Sequence, residues 1–418
     1  MAVMFEHPRP PWSRRVGLRP LRLALVLLGG CESGVPSSPP DLAVADASVD
    51  LRAPPDLVPP KTGLLGLNDV TVLIPLADPG TPALLMASDK GSDGNELVSR
   101  ATYDRLNNVP KRGPVVFLDD LYPLLQVVAV RFDLCDRTVP GPCADEDGRM
   151  RVIVQAQYDP KAIGNIDLGL HAFFTIPKAD FPALVTELRA LSALQGLPDA
   201  APLQPSPALL KAPSGEYAMR LKALILKYGV QANLTRVTFV GARDGVRSAS
   251  WTLRGIEKGA MGFADIQIPG IGSTVQDTTL GGATTASFDV MPVADAPKGF
   301  VLATDEASFA VATPQDRAAA LAALNAIDNP TLSTPNNVSC VTCHISGRIV
   351  GAREQVARVD SRTLPNRFTS GTFDLTVPLL LKSSLRSLGW AHRAPLISQR
   401  VANDSAQVAS EMNARFPP

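Results

Sequence analysis

The sequence predicts a multidomain protein in which an α+β domain rich in β-strands precedes a small all-α domain. Three observations support this prediction. The chain has 418 residues, which is enough for two domains. Short β-branched and aromatic runs bounded by Gly, Pro or Asp fill residues 64–305. From residue 306 onward the pattern changes to helix and loop. The strand-rich part is compatible with an open α+β sheet or with a sandwich-like arrangement.

The first 30 residues have the pattern of an export signal. Several arginines precede a short apolar run from Leu23 to Leu28, which cannot span a bilayer. Its end, Leu28-Gly-Gly-Cys31, resembles the lipobox of bacterial lipoproteins. That resemblance implies removal of residues 1–30 and attachment of lipid to the Cys31 thiol. An ordinary secretory signal with an incidental cysteine is the alternative.

Residues 31–63 read as a tether. This stretch is rich in proline and contains Pro-Pro-Asp-Leu twice, at 39–42 and 54–57. Proline at this density favours an extended, semi-stiff chain without a packed core. Such a tether would hold the folded part away from the membrane in which Cys31 is anchored.

Residues 64–305 contain nine predicted strands and two predicted helices. The strands lie at 70–76, 115–118, 127–132, 151–158, 168–176, 234–240, 249–256, 263–268 and 284–290. Apolar residues recur at helical spacing between Phe181 and Leu191, which predicts one helix. The other helix is predicted at about 216–227. His171 falls within the strand at 168–176, and we expect it to be an ordinary strand residue without catalytic duty.

Two cysteines in this region suggest a disulfide. Cys135 and Cys143 flank Asp-Arg-Thr-Val-Pro-Gly-Pro, which is a turn-forming sequence. An exported chain enters an oxidising compartment, so a local disulfide that staples the loop is the expected state. A pair of free thiols is the alternative.

The C-terminal region, residues 306–418, has helix signals around one short motif. Thr313 and the proline after it predict a helix start, and Asp404 opens a capping-box pattern for the last helix. A short helix is predicted between them, at 351–359. The motif is Cys340-Val-Thr-Cys343-His344.

Cys-x-x-Cys-His is the attachment motif of c-type haem. Its two thiols can reach the two vinyl groups of one porphyrin, and the adjacent histidine can serve as the proximal iron ligand. The motif therefore predicts one covalent haem c held by Cys340, Cys343 and His344. A zinc site would need four ligands, and a thioredoxin-like dithiol usually lies where a strand meets a helix. The alternatives to haem attachment are a zinc site, a redox dithiol and a chance occurrence of the pattern.

A helix before this motif and another at the C-terminus resemble the class I cytochrome c arrangement over residues 306–418. The chain departs from that family in the long connection before the motif and in lacking the methionine–proline loop. The resemblance places the distal iron ligand shortly before the last helix, where His392 lies. Met412 is a weaker candidate because it shares an apolar helix face, and an open iron position is a further alternative.

These features predict an exported, lipid-anchored cytochrome with one haem. Its function would be one-electron transfer with a redox partner protein at the cell envelope. By lipoprotein analogy, Glu32 implies an outer-membrane location facing the periplasm or the cell surface. The alternative is a surface-binding or structural lipoprotein with a stabilising or sensory haem. We expect a carrier rather than a catalyst, since a cytochrome c peroxidase would have two haem motifs.

Nucleic acid is not an expected partner. The formal net charge is zero, with 40 basic and 40 acidic residues, and the chain without residues 1–30 keeps 35 basic and 39 acidic groups. A nucleic-acid-binding surface would require a basic excess.

Overall fold

The computed structural model divides the chain by its contacts into two units, Met1–Ala53 and Pro54–Pro418. The structure describes residues 62–77, 80–110, 112–116, 120–136, 140–141, 143, 146–156, 167–242, 250–281, 287–292, 298–368, 385–391 and 394–418. The predicted signal, nearly all of the tether, Cys31 and His392 lie outside these residues. The fold below is that of the second unit.

The dominant feature is an antiparallel sheet. The strands of the described residues are β1 (Thr71–Leu73), β2 (Asn108–Val109), β3 (Gly113–Pro114), β4 (Leu125–Asp133), β5 (Gly148–Ala156), β6 (Leu168–Ile176), β7 (Leu234–Ala242), β8 (Ser250–Gly259), β9 (Gly262–Asp265), β10 (Val275–Gly281), β11 (Ser287–Met291), β12 (Leu388–Ala391) and β13 (Ala394–Ile397). The main sheet has the order β1-β4-β5-β6-β7-β8-β10-β11, with β9 paired to β8, and its strand pairs are antiparallel. Two short hairpins, β2–β3 and β12–β13, lie outside this sheet.

Helices pack around this sheet. Within the described residues they are α1 (Leu67–Val70), α2 (Arg100–Asn107), α3 (Phe181–Gln195), α4 (Pro207–Lys211), α5 (Glu216–Tyr228), α6 (Lys298–Thr304), α7 (Glu306–Val311), α8 (Pro314–Asp328), α9 (Cys340–Ala357) and α10 (Gln399–Arg415). The two helices predicted near 181 and 216 are present as α3 and α5. In the part of the chain that the structure describes, no helix is long and apolar enough to cross a membrane.

The strand predictions were mostly correct. The strand at 168–176 has the predicted bounds, and seven others overlap observed strands. The strand predicted at 115–118 is wrong where it can be seen, because Val115 and Val116 form a bend after β3. Strand β10 has no counterpart among the predicted strands.

The α+β class is confirmed in its coarse form, as a large antiparallel sheet with helices. The buried apolar residues form three clusters. Each cluster contains side chains from both sides of the predicted domain boundary at 305/306. Phe309 of α7 and Trp251 of β8 belong to one cluster, for example, and Met412 of α10 belongs to the cluster that contains Phe181 of α3. That boundary therefore lies inside the second unit.

Two helix starts in the C-terminal region differ from the prediction. Helix α8 begins where predicted, with the Thr313 hydroxyl accepting a hydrogen bond from the Asp316 N–H. Helix α9, however, begins at the motif itself and ends at Ala357, so it contains residues 351–357 of the short helix predicted for 351–359. Helix α10 begins at Gln399 with Ser398 as its cap. The predicted start at Asp404 is wrong.

The two faces of the central strands of the main sheet pack against different helices. Side chains alternate along a strand, so Leu170, Ala172 and Phe174 of β6 point to one face, where they share a core with α3 and α5. His171 and Phe173 point to the opposite face. That second face meets the C-terminal helices and carries the site described next.

The Cys135 and Cys143 sulfur atoms are bonded to each other in the structure. The bond links the end of β4 to the segment before β5, which is the pairing suggested by the sequence.

Candidate functional site

A cavity of about 150 Å³ separates the second sheet face from the C-terminal helices. Strands β4 to β8 bound the cavity on one side. The first turn of α9 and the start of α10 bound it on the other.

The first turn of α9 presents all three motif residues to this cavity. Residues three and four positions apart share one helix face, so Cys343 and His344 lie on the same side of α9 as Cys340. All three side chains line the cavity. The Cys-x-x-Cys-His spacing thus becomes one surface with two thiols and one imidazole.

A polar network fixes the start of α9 against the sheet. Ser339 is the helix cap, and its hydroxyl accepts a hydrogen bond from the Thr342 N–H. Gln276 of β10 is fully buried and donates from Nε2 to the Ser339 hydroxyl, at 3.1 Å. Its Oε1 accepts from the Val341 N–H at 2.9 Å. The motif is therefore held by a strand that the sequence did not reveal.

The His344 imidazole is oriented through one of its nitrogens. Nδ1 lies 2.6 Å from the carbonyl oxygen of Leu385, and a carbonyl can only accept, so Nδ1 carries the proton. Burial lowers the pKa of His344, which favours the neutral ring. In a neutral imidazole with a protonated Nδ1, the Nε2 lone pair is free to bind a metal.

Asp167 in turn positions Leu385. Its carboxylate is buried and accepts from the Leu385 N–H at 2.7 Å and from the Trp251 indole N–H at 2.7 Å. Its other oxygen pairs with Arg386, at 2.8 Å. A residue that directly precedes β6 therefore sets the backbone that orients His344.

His171 lies across the cavity from His344. The two ring centroids are 6.4 Å apart and the ring planes are inclined by 34°. Burial, with the charges of His344 and Arg151, lowers the pKa of His171 to about 3, so this ring is also neutral near pH 7. Sequence reasoning took His171 for an ordinary strand residue. The available signal was strand alternation, which places a polar ring on the face opposite the α3 side of β6.

The cavity wall is rich in guanidinium groups. Five arginines line it, whereas among the described lining residues only Asp404 supplies a carboxylate; the arginines are Arg131, Arg151, Arg236, Arg254 and Arg400. Two of them lie over the Phe173 ring, with guanidinium carbons 5.2 Å (Arg151) and 5.9 Å (Arg236) from its centroid. Burial and the neighbouring Arg131 lower the pKa of Arg151. All five arginines already form ion pairs with acidic side chains, Arg151 with Asp133 and Arg236 with Glu257 among them. An anionic group placed here would therefore share guanidinium groups that are already paired.

The thiols do not have the properties of a redox dithiol. Both are free and half-buried. Burial raises the pKa of Cys340 to about 12 and also raises that of Cys343, whereas a reactive dithiol needs a lowered thiol pKa. Within the described residues, no group of three or more Cys, His, Asp or Glu side chains is arranged to hold a metal ion.

Of the two predicted distal ligands, only Met412 lies among the described residues. Met412 is fully buried in the apolar core that includes α3, and it does not line the cavity. His392 lies outside the described residues.

The donor set around the cavity fits a covalently bound haem. Cys340 and Cys343 would hold the porphyrin, and His344 would bind iron through Nε2. The guanidinium groups beside Phe173 would donate further hydrogen bonds to the two haem carboxylates, in addition to their ion pairs with Asp133 and Glu257. No family model, curated protein or solved structure matches this chain. The proposal below therefore depends on this site and on the sequence motifs.

Proposed function

We propose that this chain is an exported, lipid-anchored c-type cytochrome with one haem that transfers single electrons at the cell envelope. A covalently held haem iron supplies that chemistry by changing between its ferric and ferrous states. The folded part of the chain would bind a redox partner protein. The tether and lipid at Cys31 would keep it at the membrane.

One observation carries the proposal: two thiols and an oriented imidazole share one helix face and line one cavity. The Nδ1–H to carbonyl contact of His344 is the arrangement that metal-binding histidines use to fix their tautomer. The raised thiol pKa of Cys340 counts against the dithiol alternative. The main competitor is a lipoprotein whose haem is structural or sensory.

The chain's own residues would do three things for the haem. Cys340 and Cys343 would fix its edge to α9, so that it cannot dissociate. Apolar wall residues such as Ile153 and Leu253 would limit water access and thereby influence the reduction potential. Arg151 and Arg236 would donate hydrogen bonds to the haem carboxylates while they keep their ion pairs with Asp133 and Glu257. None of these roles requires a substrate, which suits a carrier.

The test is covalent attachment in cells that contain a cytochrome c maturation system. The full chain and its Cys340→Ala variant are separated on a denaturing gel and stained for haem, with a pyridine haemochrome spectrum of each. We expect stain on the wild type and its loss from the variant. Fractionation of the same cells should release Cys31→Ser from the membrane fraction.

The matched control is a double variant, Cys135→Ala with Cys143→Ala, which removes the disulfide but leaves the motif intact. It should keep the haem stain. A wild-type chain that leaves the maturation system without covalent haem would refute the cytochrome assignment. Haem on the Cys340→Ala, Cys343→Ala double variant would show that attachment does not use this motif.

A further inference from the structure

We infer that His171 is the second axial ligand of the haem iron, opposite His344. The inference rests on the proposed function and extends it, because it assigns the sixth coordination position to the sheet. Neither His392 nor Met412, the candidates suggested by the sequence, would then be the ligand.

The distance between the two imidazoles carries this inference. A histidine nitrogen binds a metal at about 2.0–2.1 Å. Two imidazoles bound on opposite sides of one metal ion therefore have centroids about 6 Å apart, once the ring radius is added on each side. The observed separation of the His171 and His344 centroids is 6.4 Å. The observed separation therefore matches the one expected for two imidazoles that share one metal ion.

The hydrogen bonding of the His171 ring distinguishes this pair from ordinary aromatic contacts, which also occur at this distance. The His171 ring has no hydrogen-bond partner among the described residues, although it is half-buried and lines the cavity. Its ring nitrogens are not among the buried polar atoms that lack a partner, so they are open to the cavity, and the nitrogen without a proton has its lone pair available there. A metal ion bound in the cavity would give the His171 lone pair its partner.

His171 also has the rigidity that an axial ligand needs. It lies in the middle of β6, where it pairs with Ile153 of β5 and Thr238 of β7. A strand with neighbours on both sides can move little. The distance to α9 is set independently, because Gln276 of β10 fixes the start of that helix on the same sheet.

Competing ligands are scarce around the cavity. Apart from His344 and the two motif cysteines, His171 is the one described lining residue with an imidazole, thiol or thioether. Met412 lies in the core cluster instead. Two histidine ligands would close both axial positions, which suits electron transfer and leaves no site for a small ligand such as carbon monoxide.

The experiment compares the wild type with His171→Ala, both matured with haem in cells and purified as full chains. For the wild type we expect a six-coordinate, low-spin spectrum in both oxidation states and no spectral change with carbon monoxide. His171→Ala should become high-spin and bind carbon monoxide, while keeping its haem on a denaturing gel. Added imidazole should restore the low-spin spectrum of this variant.

A second variant guards against misfolding of the first. His171→Met replaces one ligand with another, and a His/Met pair has a higher reduction potential than two histidines. We expect His171→Met to remain low-spin and its midpoint potential to rise. A residue that only fills space would not shift the potential in this way and would not respond to added imidazole.

The controls are His392→Ala and Met412→Leu, which should leave the spectrum unchanged. A low-spin, carbon monoxide-inert His171→Ala protein would overturn the assignment. A high-spin spectrum for His392→Ala, with His171→Ala unchanged, would transfer the role to His392. Absence of haem from every gel lane would instead refute the proposed function, so the two failures can be told apart.

Discussion

At the scale of single residues, Asp328 makes the stability of this protein depend on pH. It ends helix α8, is buried, and accepts a 2.6 Å hydrogen bond from the Ser346 hydroxyl. Burial raises the pKa of Asp328 to about 6, although the Ser346 hydrogen bond and the charge of Arg400 oppose the shift. An aspartate in an unfolded chain has a pKa of about 3.9.

The sign of the effect follows from these two values. Between about pH 4 and pH 6 the folded chain keeps a proton on Asp328 that the unfolded chain has lost. Its contribution to stability is therefore present below about pH 4 and is lost as the pH rises through about 6. Asp328→Asn, which still accepts the Ser346 hydrogen bond, should remove this contribution. We expect the variant to gain roughly 1–3 kcal/mol relative to the wild type between pH 4 and pH 7.

The quantity to measure is the difference in unfolding free energy between the two proteins, from urea titrations at several pH values. The difference matters because the lowered pKa values of His171 and His344 act in the opposite sense: their stabilisation is lost as the pH falls. Those contributions are common to both proteins and cancel. A wild type and variant with parallel pH profiles would show that Asp328 titrates normally in the fold.

At the scale of elements, the start of α9 should contribute more to stability than an ordinary helix cap. Replacing a capping hydroxyl costs about 1 kcal/mol. Ser339→Ala would also remove an acceptor from the buried Gln276 amide, and an unsatisfied buried donor costs about 1–3 kcal/mol. Gln276 keeps a hydrogen bond to the Pro292 carbonyl, which limits the loss. We therefore expect Ser339→Ala to lower the unfolding free energy by roughly 2–3 kcal/mol in urea titrations.

Thr313→Ala provides the matched comparison. Thr313 caps α8 with the same kind of hydrogen bond, but its side chain is exposed and has no contact equivalent to Gln276. Its loss should cost about 1 kcal/mol. Equal losses in the two variants would mean that the contact between β10 and α9 contributes nothing to stability.

The elements that sequence reasoning missed have polar residues on their buried sides. Strand β10 buries Gln276 and Thr278 along with Leu280, so it lacks the alternation of apolar and polar residues that marks a strand. Helix α10 buries Arg400, Asn403 and Asp404 in its first half. Only Val401 and Ala402 are buried apolar residues in that half, and the denser stripe begins at Val408, so the helix start was placed too late.

The three motif residues of the candidate site could be predicted from the sequence, whereas His171 and Asp167 could not. Cys340, Cys343 and His344 are adjacent in sequence, so one local motif defined them. His171 belongs to the site only because β6 lies opposite α9 in the folded chain. Nothing near residue 171 indicates that partner. Asp167 was missed for the same reason, since its role depends on Leu385, which is distant in sequence.

At the scale of the whole molecule, the C-terminal helices and the sheet share their cores. The sequence predicted a separate all-α domain because α8 and α10 each carry an apolar stripe. In the structure those stripes share buried clusters with the sheet. Val401 of α10 and Val128 of β4 belong to one cluster, and Leu321 of α8 and Trp251 of β8 belong to another. A helix sequence reveals which face is apolar but does not reveal what covers it.

This sharing predicts that the described fold unfolds as one cooperative unit. Elements with a common core lose their protection from hydrogen exchange in the same opening reaction. In the full chain we expect the slowest amides of β5 and β6 and the slowest amides of α8 and α9 to show the same free energy of opening. Their exchange should also depend on urea in the same way. Hydrogen–deuterium exchange followed by mass spectrometry at several urea concentrations measures both quantities.

The opposite outcome would be equally informative. If α8 and α9 open at a lower free energy and with a smaller urea dependence, the C-terminal helices can separate from the sheet as a unit of their own. His171 and His344 would then part during that opening, since one lies on β6 and the other on α9. Iron held between them would couple the two elements, so the covalent haem should raise the opening free energy of α9 toward that of β6. Comparing the wild type with His171→Ala in the same exchange experiment would isolate that coupling, because in our proposal both proteins would keep the haem on α9 and differ only in its bond to the sheet.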